Sequence, residues 1–64
     1  MKPQKIRALL IENKITQTSI AKDLKVTQGA VNRVIDGHFI SRRIREAIAS
    51  RVNIPFEKMW ERAA

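Results

Sequence analysis

The sequence contains no cysteine, and His38 is its one histidine among 64 residues. Without thiols there are no disulfides and no thiolate metal sites, and one imidazole cannot form a metal site or a catalytic triad without partners. Carboxylate pairs, nucleophile–base sets and phosphate-cradling glycine loops with the spacing that enzymes need are also missing. We therefore expect no catalytic residue, no metal, no cofactor and no small-molecule substrate.

Long apolar runs are absent too. None approaches the length of about 18 residues that a membrane-spanning helix needs, and the N-terminal MKPQKIR has no apolar stretch typical of a signal peptide. These features predict no membrane association and a cytoplasmic location. The length predicts a single domain over residues 1–64, whose small core needs close helix packing or dimerisation to be stable.

Acidic residues are few, since six Asp and Glu stand against 13 Lys and Arg, for a formal net charge of +7. The excess lies at both ends of the chain, with +3 over residues 1–15, +1 over residues 16–37 and +3 over residues 38–64. Cations on both sides of a nearly neutral segment suit a protein that holds nucleic-acid phosphates beside a base-reading element. A basic amphipathic helix with aromatic anchors, which would favour a membrane surface, is missing.

Residues 16–37, TQTSIAKDLKVTQGAVNRVIDG, have the pattern of two short helices that share one small core. Two apolar faces occur at helical spacing, formed by Ile20, Ala21 and Leu24 and then by Val31, Val34 and Ile35. Ala21 is small where two helices must cross closely, and Thr27 is placed to cap the second helix. The pattern predicts a helix-turn-helix over about residues 17–36.

The remaining segments also have helical rather than strand periodicity. Pro3 suits the first turn of a helix that ends at Asn13 and Lys14, Ser41 is placed to cap a fourth helix, and Pro55 to begin a short fifth one. The fourth helix has a predicted inward face of Ile44, Ala47, Ile48 and Val52. Its other face leaves four arginines mostly to solvent, namely Arg42, Arg43, Arg45 and Arg51. The sequence therefore predicts an all-α fold of five helices.

The second helix of the motif carries four residues that the apolar face does not use: Gln28, Gly29, Asn32 and Arg33. At about 100° per residue they fall on an arc of roughly 140° opposite that face. Amide side chains can match the N6/N7 edge of adenine, arginine can match the O6/N7 edge of guanine, and glycine permits close approach. We predict that these four residues read bases in the DNA major groove. The alternative is the polar surface of an ordinary helical domain.

Residues Gln17 to Ile35, QTSIAKDLKVTQGAVNRVI, resemble the helix-turn-helix of the lambda Cro and phage-repressor family. The segment RVNIPFEKMW is similar to the closing segment of the all-helical, Ner-like members. The resemblance implies a five-helix, repressor-type domain that binds operator DNA and occludes a promoter in the cytoplasm of a bacterial host.

The same resemblance implies which residues contact phosphates. Gln17 would hold a phosphate and pack against Gln28. Lys25 departs from the family, which usually has a left-handed glycine in this turn, where another residue costs on the order of 1 kcal/mol. We predict that Lys25 offsets part of this cost by reaching a phosphate. Further phosphate candidates lie at the helix cap and in the loop after the reading helix: Thr27, His38, Ser41, Arg42 and Arg43. Two arginines in a first turn oppose the helix dipole, a local cost that a phosphate would offset. Three more candidates for phosphate contact belong to the first predicted helix, namely Lys2, Lys5 and Lys14.

Phe39, Ile40, Met59 and Trp60 raise the question of self-association, because apolar residues of this kind belong either to the core or to the contact surface of a homodimer. Phe39, Met59 and Trp60 are the predicted dimer contacts. A two-fold dimer would place two reading helices about 34 Å apart over inverted half-sites. Two other functions fit the sequence, an architectural or excision-type factor that bends DNA and an antitoxin-like module whose main partner is another protein. These alternatives differ in partner and not in fold.

Overall fold

The chain folds into helices joined by short turns. The computed structural model describes residues 1–60, which form no strand and five helices, α1 (Pro3–Glu12), α2 (Gln17–Leu24), α3 (Gln28–Asp36), α4 (Arg42–Val52) and α5 (Phe56–Met59). The prediction of an all-α fold is confirmed. The last part of the predicted domain, residues 61–64, lies outside the described residues. None of the helices in residues 1–60 is long and apolar enough to cross a lipid bilayer.

Hydroxyl side chains cap three of these helices. Thr16, Thr27 and Ser41 each accept a hydrogen bond from the backbone N–H three residues later, at 3.0, 3.1 and 3.4 Å respectively. Each such cap is worth about 1 kcal/mol, because it satisfies a backbone donor that the helix leaves unpaired. The predicted caps at Thr27 and Ser41 are confirmed. Pro3 occupies the first turn of α1 as predicted, whereas Pro55 immediately precedes α5.

A left-handed residue follows each of the first four helices, and three of those residues are not glycine. The φ angles are 57° at Lys14, 58° at Lys25 and 60° at Asn53, against 83° at Gly37. At each end, the N–H of the following residue bonds to the carbonyl oxygen five residues earlier, at 2.8–3.1 Å. This bond satisfies a carbonyl that the helix leaves free. The left-handed turn expected at Lys25 is therefore present, without the usual glycine.

One apolar core joins all five helices. Its buried members are Ile6, Leu10, Ile20, Ala21, Val31, Val34, Ile35, Ile44, Ile48, Ala49, Val52 and Met59. Leu24 and Val26 pack against this core while half-buried. The two apolar faces predicted for the motif therefore meet in one core, where α2 packs against α3 and the small Ala21 lies buried between them.

The inward face of α4 differs from the prediction at one position, because Ala49 is buried and Ala47 is half-buried. The reason is that α4 packs against α2, α3 and α5, so its buried stripe is wider than one neighbour would require. Arg51, predicted to lie mostly in solvent, is half-buried and forms an ion pair with Asp23 of α2.

Two arginines of α4 hold the C-terminal segment. The guanidinium carbon of Arg42 lies 5.1 Å from the ring centre of Phe56, and that of Arg45 lies 5.0 Å from the ring centre of Trp60. Trp60 also donates its indole N–H to the carbonyl oxygen of Arg45 at 2.9 Å. Arg45 is therefore half-buried, contrary to the prediction, because its side chain packs on an aromatic ring.

Met59, one of the predicted dimer contacts, belongs to the core. Its side chain is completely buried, and its carbonyl oxygen accepts a hydrogen bond from the amino group of Met1 at 3.1 Å. Because α5 turns this side chain inward, the core alternative holds for Met59, which offers no surface to a second copy. Trp60 is half-buried against Arg45, and Phe39 is exposed.

The left-handed helix ends predict opposite effects of two substitutions. Lys25→Gly should raise the free energy of unfolding by roughly 0.5–1 kcal/mol, because glycine adopts this conformation without steric cost. Gly37→Ala should lower it by about 1 kcal/mol for the converse reason. Nothing lies within 4 Å of the methyl group that Gly37→Ala would add, so backbone strain is the expected cause. Urea denaturation measures both changes, and a less stable Lys25→Gly protein would contradict this account.

Candidate nucleic-acid interface

The four predicted base-reading residues all lie on the exposed face of α3: Gln28, Gly29, Asn32 and Arg33. The opposite face is buried against α1, α2 and α4. A Cβ atom added at Gly29 would meet only the hydroxyl oxygen of Thr27, at 3.9 Å. Packing therefore does not require glycine at this position, and its absence of a side chain leaves the helix backbone accessible from outside.

Gln28, at the start of α3, contacts α2. The hydroxyl of Thr18 donates to Oε1 of Gln28 at 3.1 Å. The resemblance implied that Gln17 would pack against this glutamine, but the hydrogen bond comes from the next residue. Gln17 is half-buried and lines a separate cleft with Arg7 and Ile11. Thr18 is thus a partner of the predicted reading face that the sequence analysis missed.

Asn32, one turn further along α3, is tied to α1. Arg7 donates from Nη2 to Oδ1 of Asn32 at 2.7 Å and to Oδ1 of Asp36 at 2.8 Å. The side chains of Arg7 and Asp36 are 35% and 29% exposed, so solvent partly screens their ion pair. The sequence analysis also missed Arg7. The sequence gives one indication of this contact: Arg7 directly follows the buried Ile6, so its charge lies at the edge of the buried face of α1.

Arg33 lies on the other side of α3, next to the loop that follows the helix. Thr27, Gly29, Ala30, Arg33 and Phe39 line one cleft there. Because Phe39 shares this cleft, it borders the face of α3 that carries the predicted reading residues, and its side chain is 48% exposed. The predicted dimer contact at Phe39 and the predicted reading face are therefore neighbours.

The predicted phosphate-contacting residues differ in their surroundings. Lys25 is exposed in the turn between α2 and α3, and the exposed Thr27 caps α3 with its hydroxyl. His38 is exposed at the C-terminal end of α3, where its backbone N–H bonds to the carbonyl oxygen of Arg33 at 2.9 Å. These three residues surround the two ends of α3.

The N-terminus of α4 carries the other candidates. Arg42 bonds to Glu46 at 2.8 Å and packs over Phe56, so it has partners within the protein. Arg43 is exposed and forms no ion pair within residues 1–60. No hydrogen bond in this part of the chain joins Ser41, Arg42 or Arg43 to α3. The candidates on α1 and at its two ends are all exposed, namely Lys5 on the helix, Lys2 before it and Lys14 after it.

The arrangement consists of binding groups, namely two amides, a guanidinium and an open backbone on one helix, with exposed cations around it. Over residues 1–60, no three His, Asp or Glu side chains lie close enough together to hold a metal ion. Comparison with protein-family models, with curated proteins and with solved structures found no match for this chain.

Burial predicts different effects of substitution at Met59, which lies in the core, and at Phe39, which is exposed. Met59→Ala should lower the free energy of unfolding by about 2–5 kcal/mol, because it leaves a cavity in the core. Phe39→Ser should lower it by no more than about 1 kcal/mol, because about half of the ring is already in solvent. Thermal or urea denaturation measures both, and equal losses would contradict the exposed position of Phe39.

Proposed function

We propose that the protein is a sequence-specific double-stranded DNA-binding regulator, a Cro-like repressor of phage or prophage type that occludes a promoter. The observation that carries the proposal is the outward face of α3, where Gln28, Gly29, Asn32 and Arg33 are exposed and none is needed in the core. Each polar side chain of this set can hydrogen-bond to a base edge.

The dimensions of α3 suit the major groove. A helix of nine residues is about 14 Å long, and with its side chains is about 10–12 Å wide. The major groove of B-DNA is about 12 Å wide, so it admits one such helix. The glycine at position 29 would let the backbone lie close to the bases, as it adds no side chain between helix and groove.

The charge distribution supports the same partner. Lys25 and Arg43 are exposed on either side of α3 along the chain, and Lys2 and Lys5 are exposed at the start of α1. Cations of this kind hold phosphates and orient a protein on the duplex without reading its sequence. In this proposal they supply affinity, and the face of α3 supplies specificity.

We further propose that the protein acts as a homodimer, at least on DNA. The domain measures 32 × 23 × 17 Å, so two copies fit side by side on half-sites one helical turn, about 34 Å, apart. Phe39 and Ile40 are consecutive, 48% and 75% exposed, and can supply an apolar contact between copies. The same exposed pair favours a second candidate function, an antitoxin-like module that binds another protein.

Selection from a random duplex library at physiological salt tests the proposal. A palindromic site bound at least about a thousandfold more tightly than scrambled DNA is the expected result. Weak, salt-sensitive binding with no enriched sequence would contradict it and favour an architectural factor. A stable complex with a cellular protein that is lost in Phe39→Ser, together with no DNA selection, would favour the antitoxin-like module.

Two substitutions separate the proposed roles on the selected site. Gln28→Ala should weaken binding by about 1–3 kcal/mol and relax the preference at one base step. Arg43→Ala should weaken binding to all sequences alike and reduce the slope of log K against log salt by about one unit. Titrations of selected and scrambled duplexes at several salt concentrations measure both effects. The same response from both variants would contradict the division between reading and phosphate-contacting residues.

A further inference from the structure

We infer that Arg7 is a specificity-determining residue, because it orients the amide of Asn32 so that this residue presents N–H donors to the groove. The inference rests on the proposed function and names the bases that one position of α3 prefers. It depends on three side chains from two helices, those of Arg7, Asn32 and Asp36.

The guanidinium of Arg7 determines which way the amide of Asn32 faces. Nη2 of Arg7 lies 2.7 Å from Oδ1 of Asn32. A guanidinium has donors only, so the amide atom that faces it must be the oxygen, and the reverse orientation would place two donors against each other. The Nδ2 amino group of Asn32 therefore points away from Arg7, and Asn32 is exposed.

Asp36 holds the guanidinium in this position. Its Oδ1 atom accepts from the same Nη2 atom of Arg7 at 2.8 Å, and Asp36 follows Asn32 by one helical turn on α3. A hydrogen bond between two charged groups is stronger than one between neutral groups. The ion pair thus sets the place of Arg7, and the bond from Arg7 then orients the amide.

This orientation disfavours adenine at the step that Asn32 contacts. A bidentate contact with adenine needs the amide oxygen to accept from N6 and the amide nitrogen to donate to N7. One lone pair of Oδ1 is already used by Arg7, and the other lies beside a positive charge that repels the N6 amino group. The N–H groups of Nδ2 match acceptors instead, and guanine presents two of them, N7 and O6, while thymine presents O4. Adenine also offers N7, but its neighbouring N6 amino group is a donor that the N–H groups of Nδ2 repel, so adenine is the poorer partner.

Gln28 provides an internal comparison on the same helix. Its partner is the hydroxyl of Thr18, 3.1 Å away, and a hydroxyl can either donate or accept. The amide of Gln28 therefore keeps both orientations, including the one that matches adenine. Two amides on one face of α3 are thus expected to differ in the bases they accept.

The test is library selection with the full chain and the variants Arg7→Met and Lys5→Met. Lys5 is an exposed cation on the same helix, and the hydrogen bond to Asn32 comes from Arg7 and not from Lys5. Lys5→Met therefore removes the same charge and leaves the contact with Asn32 in place. Asn32→Ala identifies the base step concerned, as the one whose preference it abolishes. At that step the unsubstituted protein should prefer guanine or thymine over adenine by about tenfold. Arg7→Met should abolish or reverse this preference, whereas Lys5→Met should weaken binding and leave the base preference unchanged.

A double substitution shows whether Arg7 acts through Asn32. In the Asn32→Ala protein, adding Arg7→Met should leave the base preference at that step unchanged, because there is no amide to orient. A further change in preference would mean that Arg7 reads the base itself, which overturns the inference. If Arg7→Met does not fold, Arg7→Gln replaces it, since a neutral amide can accept as well as donate and should also relax the preference.

The outcomes separate this inference from the proposed function. Specific binding with adenine preferred at that step, or with an unchanged preference in Arg7→Met, overturns the inference and upholds the proposed function. Selection of no sequence overturns both. In the protein without DNA, the NMR order parameter of the Asn32 side-chain amide should fall in Arg7→Met and stay unchanged in Lys5→Met, and equal values in the two variants would also overturn the inference.

Discussion

The burial of Val31, Val34 and Ile35 is the constraint on which the rest of the structure depends. In so small a domain, α3 can bury only one face, and branched side chains with few rotamers define that face sharply. Their burial sets the rotation of α3 about its axis. The positions opposite, Gln28 and Asn32 among them, must then face outward, so the exposed polar face is a direct consequence of core packing.

Polar contacts determine which atoms of the α3 side chains are available to a partner, which core packing alone does not. Packing decides which residues of α3 face outward, but it does not decide which atom of an amide is available to a partner. That depends on the groups that neighbouring helices bring alongside, a hydroxyl at Gln28 and a guanidinium at Asn32. Because Arg7 and Thr18 belong to α1 and α2, the chemical character of the α3 surface depends on how all three helices pack.

The features that the sequence predicted well are those determined within a few residues. The helices and the caps at Thr27 and Ser41 follow from local periodicity and from hydrogen bonds that span three residues. Apart from the position of Pro55, one residue before α5, the departures depend on contacts between distant segments. Ala49 replaces Ala47 in the core because α4 has three neighbours, and the roles of Arg7 and Arg45 require partners 29 and 15 residues away. No pattern on a single helix shows such partners.

The ion pairs of three arginines determine which residues carry the net positive charge. Arg7, Arg42 and Arg51 pair with Asp36, Glu46 and Asp23, so six charged groups cancel in three internal pairs that link or brace helices. Each pair is neutral, and the excess of +7 must therefore be carried by the other cations. Within residues 1–60 these are mostly exposed lysines together with Arg33 and Arg43. Lysine binds phosphates as a compact charge on a flexible stem, whereas the planar guanidinium of arginine matches both carboxylates and phosphates through paired hydrogen bonds. The arginines therefore fall into two groups: Arg7, Arg42 and Arg51 pair with carboxylates of the protein, whereas Arg33 and Arg43 stay exposed with the lysines and contribute to the surface proposed to bind DNA.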